Sequence, residues 1–540
     1  ERGGVLALAA ILSAVSGQLL AAFLSLVHGG WLTLTGKYYS RVMPRAMGAL
    51  AQAGVTFVML PATAWVGLSG MGIALWRLKS RKRMLEWVTA AEADSRRGGF
   101  LSALRRFWYS LPAAAICLVF GGALLRLAGL FFLALIPLAL WSARPAAAKK
   151  PALSAAGREQ VHTYAAAMWR FYEELCTPED HYLPPDNLQE SPVWRVAHRT
   201  SPTNIGLYLL CVLAARDLGF IDVSDMLNRV ENTVATVEKL EKWKGNLLNW
   251  YDTRTLRPLS PRYVSTVDSG NLACCLVALR QGLLELRDPR GEELAARIRA
   301  LYMAVDLTPL YNKRRALFHI GLDPDTGEAS PSYYDLLMSE SRMTGYFAIA
   351  TRRVSKKHWG ALGRMLAKSA GYVGPVSWTG TMFEYFMPRL LLPAYEGSMG
   401  YEALRFCLHC QKRRPPRGVP WGVSESGFYA FDSNLNYQYK AHGVPRLALK
   451  RGMAADLVIA PYATFLTLTT DPEGALRNLS RLERLGMTGR CGFYEAADFT
   501  KGRAAGGGYS VVRSYMAHHV GMSMAACANV LLDDVFVRRF

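Results

Sequence analysis

Two kinds of hydrophobic patterning divide the chain. Near the start the apolar residues run without interruption. Val5–Val27 holds 23 residues without a charge and Met47–Trp76 holds 30. Each is long enough to cross about 30 Å of hydrocarbon. Trp108–Trp141 is apolar apart from Arg126 and predicts a hairpin of two short spans. A soluble unit with these runs as buried helices is the alternative. From about residue 156 the pattern becomes helical, with apolar residues every three or four positions. It predicts helices at Gln160–Leu175, Ile205–Leu218, Val223–Leu240, Gly270–Leu286, Glu292–Val305 and Tyr333–Ala350. Six more follow at Lys357–Ala370, Phe383–Leu392, Tyr401–Lys412, Asp456–Leu468, Pro472–Leu485 and Ser514–Leu532. Pro- and Gly-punctuated loops separate them. Twelve helices without a fixed repeat period point to an (α/α)6 toroid rather than a solenoid. The expected fold is all-α: transmembrane helices in 1–142, a linker at 143–156, and the toroid in 157–540.

Composition sharpens the division. The chain has 540 residues and a net charge of +21. Residues 1–155 contain 17 basic and 4 acidic residues, so most of the excess accompanies the apolar third. Basic flanks beside apolar runs indicate a bilayer, not nucleic acid. The basic loop at about 77–106 is expected on the cytoplasmic side of a bacterial inner membrane. Arg144, Lys149 and Lys150 then place the toroid on that side too. The nine cysteines are thinly spread and suggest no disulfide framework. Cys407 and Cys410 have metal-like spacing but no second pair, so no metal is expected. The chain opens on Glu1-Arg2, which reads as a piece of a longer protein.

The loops between helices concentrate aromatic rings and carboxylates, the residue types of a carbohydrate cleft. Rings pack against sugar C–H faces, and acids bond hydroxyls. Trp250, Asp252, Arg254, Tyr263, Asp268 and Asn271 form the densest string of candidate subsites. Trp378, Phe383, Tyr385, Trp421, Tyr437 and Tyr439 are candidate platforms, while Tyr334, Asp335, Glu384, Glu495, Arg513, Tyr515 and His518 are further contacts. The neighbouring His519 reads equally as a core or capping residue.

Several strings carry a resemblance. They include Ser201-Pro-Thr-Asn-Ile-Gly206, Leu248-Asn-Trp-Tyr-Asp-Thr-Arg254, Pro261-Arg-Tyr-Val-Ser-Thr-Val-Asp-Ser-Gly-Asn271 and Leu317-Phe-His-Ile-Gly321. Ser332-Tyr-Tyr-Asp-Leu-Leu337, Ser377-Trp-Thr-Gly-Thr-Met-Phe-Glu-Tyr385, Pro420-Trp-Gly-Val-Ser-Glu-Ser426 and Val512-Arg-Ser-Tyr-Met-Ala-His-His519 continue the series. In order and spacing they resemble the middle, cyclisation region of bacterial cyclic β-1,2-glucan synthases, related in fold to endo-β-1,2-glucanases. Residues 1–142 resemble the membrane tail of the preceding glycosyltransferase domain. The resemblance implies a retaining transglycosylase that closes linear β-1,2-glucan into rings and uses no cofactor in this part. UDP-glucose and a divalent metal would belong to the glycosyltransferase core, and chain trimming to a phosphorylase domain. Those two domains and the lipid bilayer are the implied partners.

Retaining transfer needs a nucleophilic carboxylate and a carboxylic acid. The resemblance points to Glu340 as acid/base, and Glu425, in an irregular segment, is assigned as nucleophile. The exchanged assignment stays open. So do structural roles: an ion pair of Glu340 with Arg342 or Arg352, and a loop-bracing bond for Glu425. An inverting endo-β-1,2-glucanase and a non-catalytic glucan-binding module are the competing functions.

Overall fold

The computed structural model describes residues 2–27, 36–82, 100–142, 152–504 and 508–540. Much of the expected basic loop (83–99) and of the linker (143–151) lies outside the described residues. The chain divides into two compact units, Glu1–Lys149 and Lys150–Phe540.

The first unit contains α1 (Arg2–Val27), α2 (Gly36–Val58), α3 (Leu60–Ser80), α4 (Phe100–Phe107), α5 (Ser110–Phe120), α6 (Ala123–Leu133) and α7 (Leu135–Ser142). Among the described residues, one helical stretch is long and apolar enough to cross a membrane. It is Ala123–Ser142, with mean hydropathy 2.3. Two more qualify only if each bent pair is one span: Ala46–Val58 with Leu60–Ser80, bent by 53°, and Phe100–Phe107 with Ser110–Phe120, bent by 62°. The expected series of multiple spans is therefore not established. Pro61, in the first turn of α3, explains one break, because a proline has no N–H to continue the preceding helix. The segment after Trp108 does fold back on itself. α5 and α6 meet at Gly121-Gly122 and pack antiparallel, and a Cβ at Gly129 would lie 2.9 Å from the Ala114 carbonyl oxygen.

The second unit alternates two types of helix. One type is amphipathic: α8 (Ala155–Leu175), α10 (Val223–Lys239), α12 (Pro289–Ala304), α14 (Lys357–Ala361), α16 (Met399–Arg413) and α18 (Pro472–Arg484). The other is buried on nearly every side: α9 (Pro202–Asp217), α11 (Thr266–Leu284), α13 (Arg342–Ala350), α15 (Met382–Phe386), α17 (Pro461–Phe465) and α19 (Ala517–Leu531). Such all-round burial is what an inner ring requires, whereas the amphipathic set needs only one covered face. α20 (Val535–Arg539) ends the chain. The inner helices touch in sequence. α9 packs on α11 and α19, α11 on α13, and α17 on α19. Arg342 Nη2 donates to the Tyr385 carbonyl, joining α13 to α15, and the Phe383 and Tyr462 rings meet edge-on between α15 and α17.

Side-chain caps explain where most of these helices begin. Ser154, Ser201, Asp222, Ser265, Asp288, Ser398 and Asp471 each accept a backbone N–H of the first turn, and Thr381 forms a capping box with Glu384. Four helix expectations lose residues to strands: in Lys357–Ala370 the helix ends at Ala361 and Leu366–Ser369 is a strand. Tyr333–Tyr334, Val458–Ile459 and Ser514–Met516 are strands that lead into α13, α17 and α19. Apolar runs of this length do not distinguish a strand from a helix. The all-α expectation is modified to that extent: short two- and three-stranded ladders decorate the helical unit. The largest hairpin pairs Ser426–Phe431 with Tyr437–Lys440. Asn187–Gln189 pairs with Ser514–Met516, immediately before α19.

Candidate functional site

The chemistry-bearing residues gather where the inner helices begin. Thr203 opens α9, Asp268 lies in the first turn of α11, and Glu340 stands two residues before α13. Tyr462 opens α17, and His518 and His519 open α19. Helix N-termini carry unpaired N–H groups and the positive end of the dipole, so this is the end at which carboxylates cost least to bury.

Glu340 and Glu425 lie close enough for the charge of Glu425 to act on the Glu340 carboxyl. Burial, reinforced by the negative charge of Glu425, Asp268 and Glu384, holds the Glu340 carboxyl well above the usual carboxylate range. Glu425 is pushed up to about 7, again mainly by burial, against the lowering effect of a hydrogen bond from Tyr439. Two carboxylates sharing one enclosed space cannot both ionise freely, so their titrations are linked. Among the described residues Glu340 forms no ion pair, and the Arg342 guanidinium instead donates to the carbonyls of Leu337 and Tyr385. The Glu425 carboxylate receives the Tyr439 hydroxyl at 2.9 Å, from the strand that pairs with Ser426–Phe431.

Around this pair the structure assembles a polar wall. The Tyr334 phenol lies among Glu340, Asp268, Tyr263 and Glu425, and burial together with those negative charges holds it protonated. Asp268 accepts from Thr203 Oγ1 at 2.6 Å and from Asn249 Nδ2 at 3.0 Å. The Tyr439 hydroxyl also lies 3.3 Å from Nε2 of both His518 and His519. His519 Nδ1 is 3.0 Å from both carboxylate oxygens of Glu495. The Tyr462 ring stacks flat on His519 at 3.7 Å, and its hydroxyl donates to Ser424. Burial lowers the His518 pKa to about 3 and drives that of His519 down as well, so both imidazoles are neutral.

Other predicted residues lie at greater remove. Trp378, 44% exposed, donates its indole N–H to Asp335 at 2.7 Å and presents a ring to solvent. Trp250 lies under the Arg199 guanidinium. Asp252 caps the turn at Arg254 and Thr255, and Arg254 reaches His198. Tyr437 packs on Phe431, and its hydroxyl accepts the backbone N–H of Arg513. Phe383 is buried edge-on beneath His518.

Five candidates are not brought to the surface of the cleft. Tyr385 is fully buried and bonds the Pro375 carbonyl. Tyr515 is buried against Tyr494, Trp421 is buried with Lys412 over its ring, and Asn271 is buried holding Thr203. Glu384 accepts from Ser377, Thr379 and Thr381, and those bonds occupy its oxygens as a loop brace. The sequence reading omitted Tyr462, Thr203, Asn249 and Ser424 from its candidates. Pro461, which starts the inner helix at Tyr462, was the available signal. Cys407 and Cys410 lie on the buried face of α16.

A family model described as "Putative glucoamylase" matches residues 332–540. Among solved structures the fold is similar to a putative glucoamylase from Bacteroides fragilis, with TM-score 0.57 at 18% identity, covering 73% of this chain and 95% of that one. It is also similar to an endo-β-1,2-glucanase from Chitinophaga pinensis, with TM-score 0.56 at 16% identity, covering 71% and 94%. An endo-β-1,2-glucanase from Talaromyces funiculosus solved with sophorose gives 0.56 at 14%, covering 71% and 88%. At these identities the likeness establishes the fold: a mostly helical, glucoamylase-like toroid. In sequence, the chain is 33% identical to the cyclic β-(1,2)-glucan synthase NdvB of Rhizobium meliloti (strain 1021), over 91% of this chain and 22% of the relative. The chain thus spans about a fifth of the length of the curated relative it matches. The resemblance read from the sequence holds over nine-tenths of the chain, which is a relative of a segment of the cyclic β-1,2-glucan synthases.

Proposed function

We propose that the helical unit closes linear β-1,2-glucan into rings by intramolecular transglycosylation with retention of the anomeric configuration. The observation that carries the reading is the pair of buried, interacting carboxyls Glu340 and Glu425, in which Glu340 is the group pushed further toward its protonated form. Glu340 gives its proton to the glycosidic oxygen while the Glu425 carboxylate attacks the anomeric carbon. The reducing-end fragment leaves, and the rest of the chain stays attached to Glu425. Glu340, now a carboxylate, takes the proton of the far-end 2-hydroxyl of the same chain, and that oxygen displaces Glu425. One reducing end enters and one leaves, so their number is constant. Trp378, Trp250 and Tyr437 are the proposed glucan contacts, with Asp335, Asp252, Arg254, Tyr263, Asp268 and Arg513 as polar partners.

In this reading the chain works within a longer synthase. The first unit attaches it to the inner membrane with the helical unit on the cytoplasmic side. A glycosyltransferase core using UDP-glucose supplies the linear glucan, and a phosphorylase domain trims it.

A second reading, an inverting endo-β-1,2-glucanase, is supported by the fold shared with proteins of that name. Incubation with linear β-1,2-glucan separates the two. Product resistant to an exo-acting β-glucosidase, with constant reducing ends, is the expected outcome. A rise in reducing ends would instead mean hydrolysis.

A further inference from the structure

We infer that Glu495, His519 and Tyr439 form a proton wire that takes the proton off Glu425 and stores it on Glu495, so that the nucleophile is ionised when glucan arrives. The inference rests on the assignment of Glu425 as nucleophile.

The geometry is a line of bonded groups, with His518 Nε2 as a branch 3.3 Å from the Tyr439 hydroxyl. Glu425 Oε1 is 2.9 Å from the Tyr439 hydroxyl, that hydroxyl is 3.3 Å from His519 Nε2, and His519 Nδ1 is 3.0 Å from Glu495. A phenol has one proton, and a neutral imidazole has one. The line therefore has two self-consistent arrangements of the same protons. In one, Glu495 is protonated and donates to Nδ1. Nε2–H then donates to the Tyr439 oxygen, and Tyr439 donates to an anionic Glu425. In the other every bond is reversed: Glu425 is protonated and donates to Tyr439, Tyr439 donates to Nε2, and Nδ1–H donates to an anionic Glu495. Passing from the second to the first moves one proton along each link and leaves the total unchanged. Only the first presents a carboxylate to the anomeric carbon.

The surroundings make the exchange balanced. Both carboxyls are pushed up to about 7, chiefly by burial, so neither end holds the proton overwhelmingly. Glu495 faces the Gly427 N–H at 2.9 Å, His518 and the Asp186 carboxylate, whose own charge is met by Arg199. Glu425 faces Tyr439, Glu384, Glu340, Tyr334 and Tyr462. The flat stack of Tyr462 on His519 fixes the imidazole plane, so that its two nitrogens point along the wire rather than across it. His519 does not touch the reacting atoms: it and Glu495 are positioning residues.

The test reads the His519 tautomer by ¹⁵N NMR of the full chain, labelled at histidine, in detergent. A glutamine amide mimics a protonated carboxyl. Glu495→Gln keeps an oxygen for the Gly427 N–H and is expected to fix the proton on Nε2. Glu425→Gln is expected to fix it on Nδ1 of His519, two groups away. Adding Tyr439→Phe to Glu425→Gln is expected to abolish that response. The same tautomer in wild type and in both glutamine variants overturns the wire. Transfer activity is measured in parallel, with Glu495→Leu expected at least tenfold lower in kcat with KM unchanged and Glu495→Gln recovering part of that loss. If the tautomers respond but wild type forms no rings, the wire stands and the proposed function falls. If rings form while the tautomer stays fixed, the wire alone falls.

Discussion

At the scale of single residues, a carboxyl type says little and its surroundings say much. Glu340, Glu384, Glu425 and Glu495 look alike in the sequence, each a carboxylate near aromatic residues. In the structure Glu384 is saturated by three hydroxyls and two backbone N–H groups, whereas Glu340 has no such partners and is held protonated by burial and like charge. That contrast gives a pH prediction. Transfer needs Glu425 ionised and Glu340 protonated. The rate should fall as pH drops through about 7, where Glu425 takes a proton, and fall again at high pH as Glu340 loses its own. The two limbs belong to the coupled pair, and kcat/KM measured against pH reads them. The roles themselves are distinguished by rescue with azide. Glu340→Ala should yield the β-glycosyl azide and Glu425→Ala the α-anomer, each from a background at least about 10³-fold below wild type. The opposite anomers would exchange the two roles.

At the scale of elements, what positions Glu340 is the close approach of α11 and α13. Gly270 is the reason they can approach, because a Cβ there would fall 1.9 Å from Thr344 Oγ1. Gly270→Ala is therefore expected to destabilise the helical unit by about 1–3 kcal/mol through overpacking and to lower transfer by displacing Glu340. Combining it with Thr344→Ala removes the obstructing side chain and should recover most of the loss. Chemical denaturation of the four proteins as a double-mutant cycle reads the coupling, and independent, additive effects would refute this contact. Helix starts were the legible part of this scale. Ser201, Ser265 and Asp288 cap helices that the periodicity places within a few residues. Strand entries such as Ser514–Met516 were not legible, since their apolar residues satisfy both periods over so short a run.

At the scale of the whole molecule, the helical unit is locked by its own last helix. Arg539 pairs with Asp217 at the end of α9 and with Glu285 just after α11, at 2.7 Å in the latter case, while its side chain is 5% exposed. Removing Arg539 leaves Asp217 paired with Arg216 and Glu285 in contact with water, so the cost falls below that of a fully orphaned buried charge. Arg539→Ala is expected to lower the unfolding free energy of the helical unit by about 1–3 kcal/mol, read by urea denaturation. A change below about 1 kcal/mol would mean that α20 contributes little to the closed ring.

The sequence alone determined the division into an apolar basic third and a helical remainder, the alternation of helices and most of their starts. These are local properties: periodicity, capping hydroxyls and charge read the same in any fold. It also exposed the relationship to the cyclic β-1,2-glucan synthases, because long ordered strings survive where single residues do not. Only the tertiary structure decided which carboxyls meet. Glu425, 85 positions along the chain from Glu340, comes near enough for its charge to act on that carboxyl. It alone turned Tyr385, Trp421 and Tyr515 inward and joined Glu425 to Glu495 through Tyr439 and His519. Burial and hydrogen-bond direction are properties of neighbours in space, and no pattern along the chain encodes them.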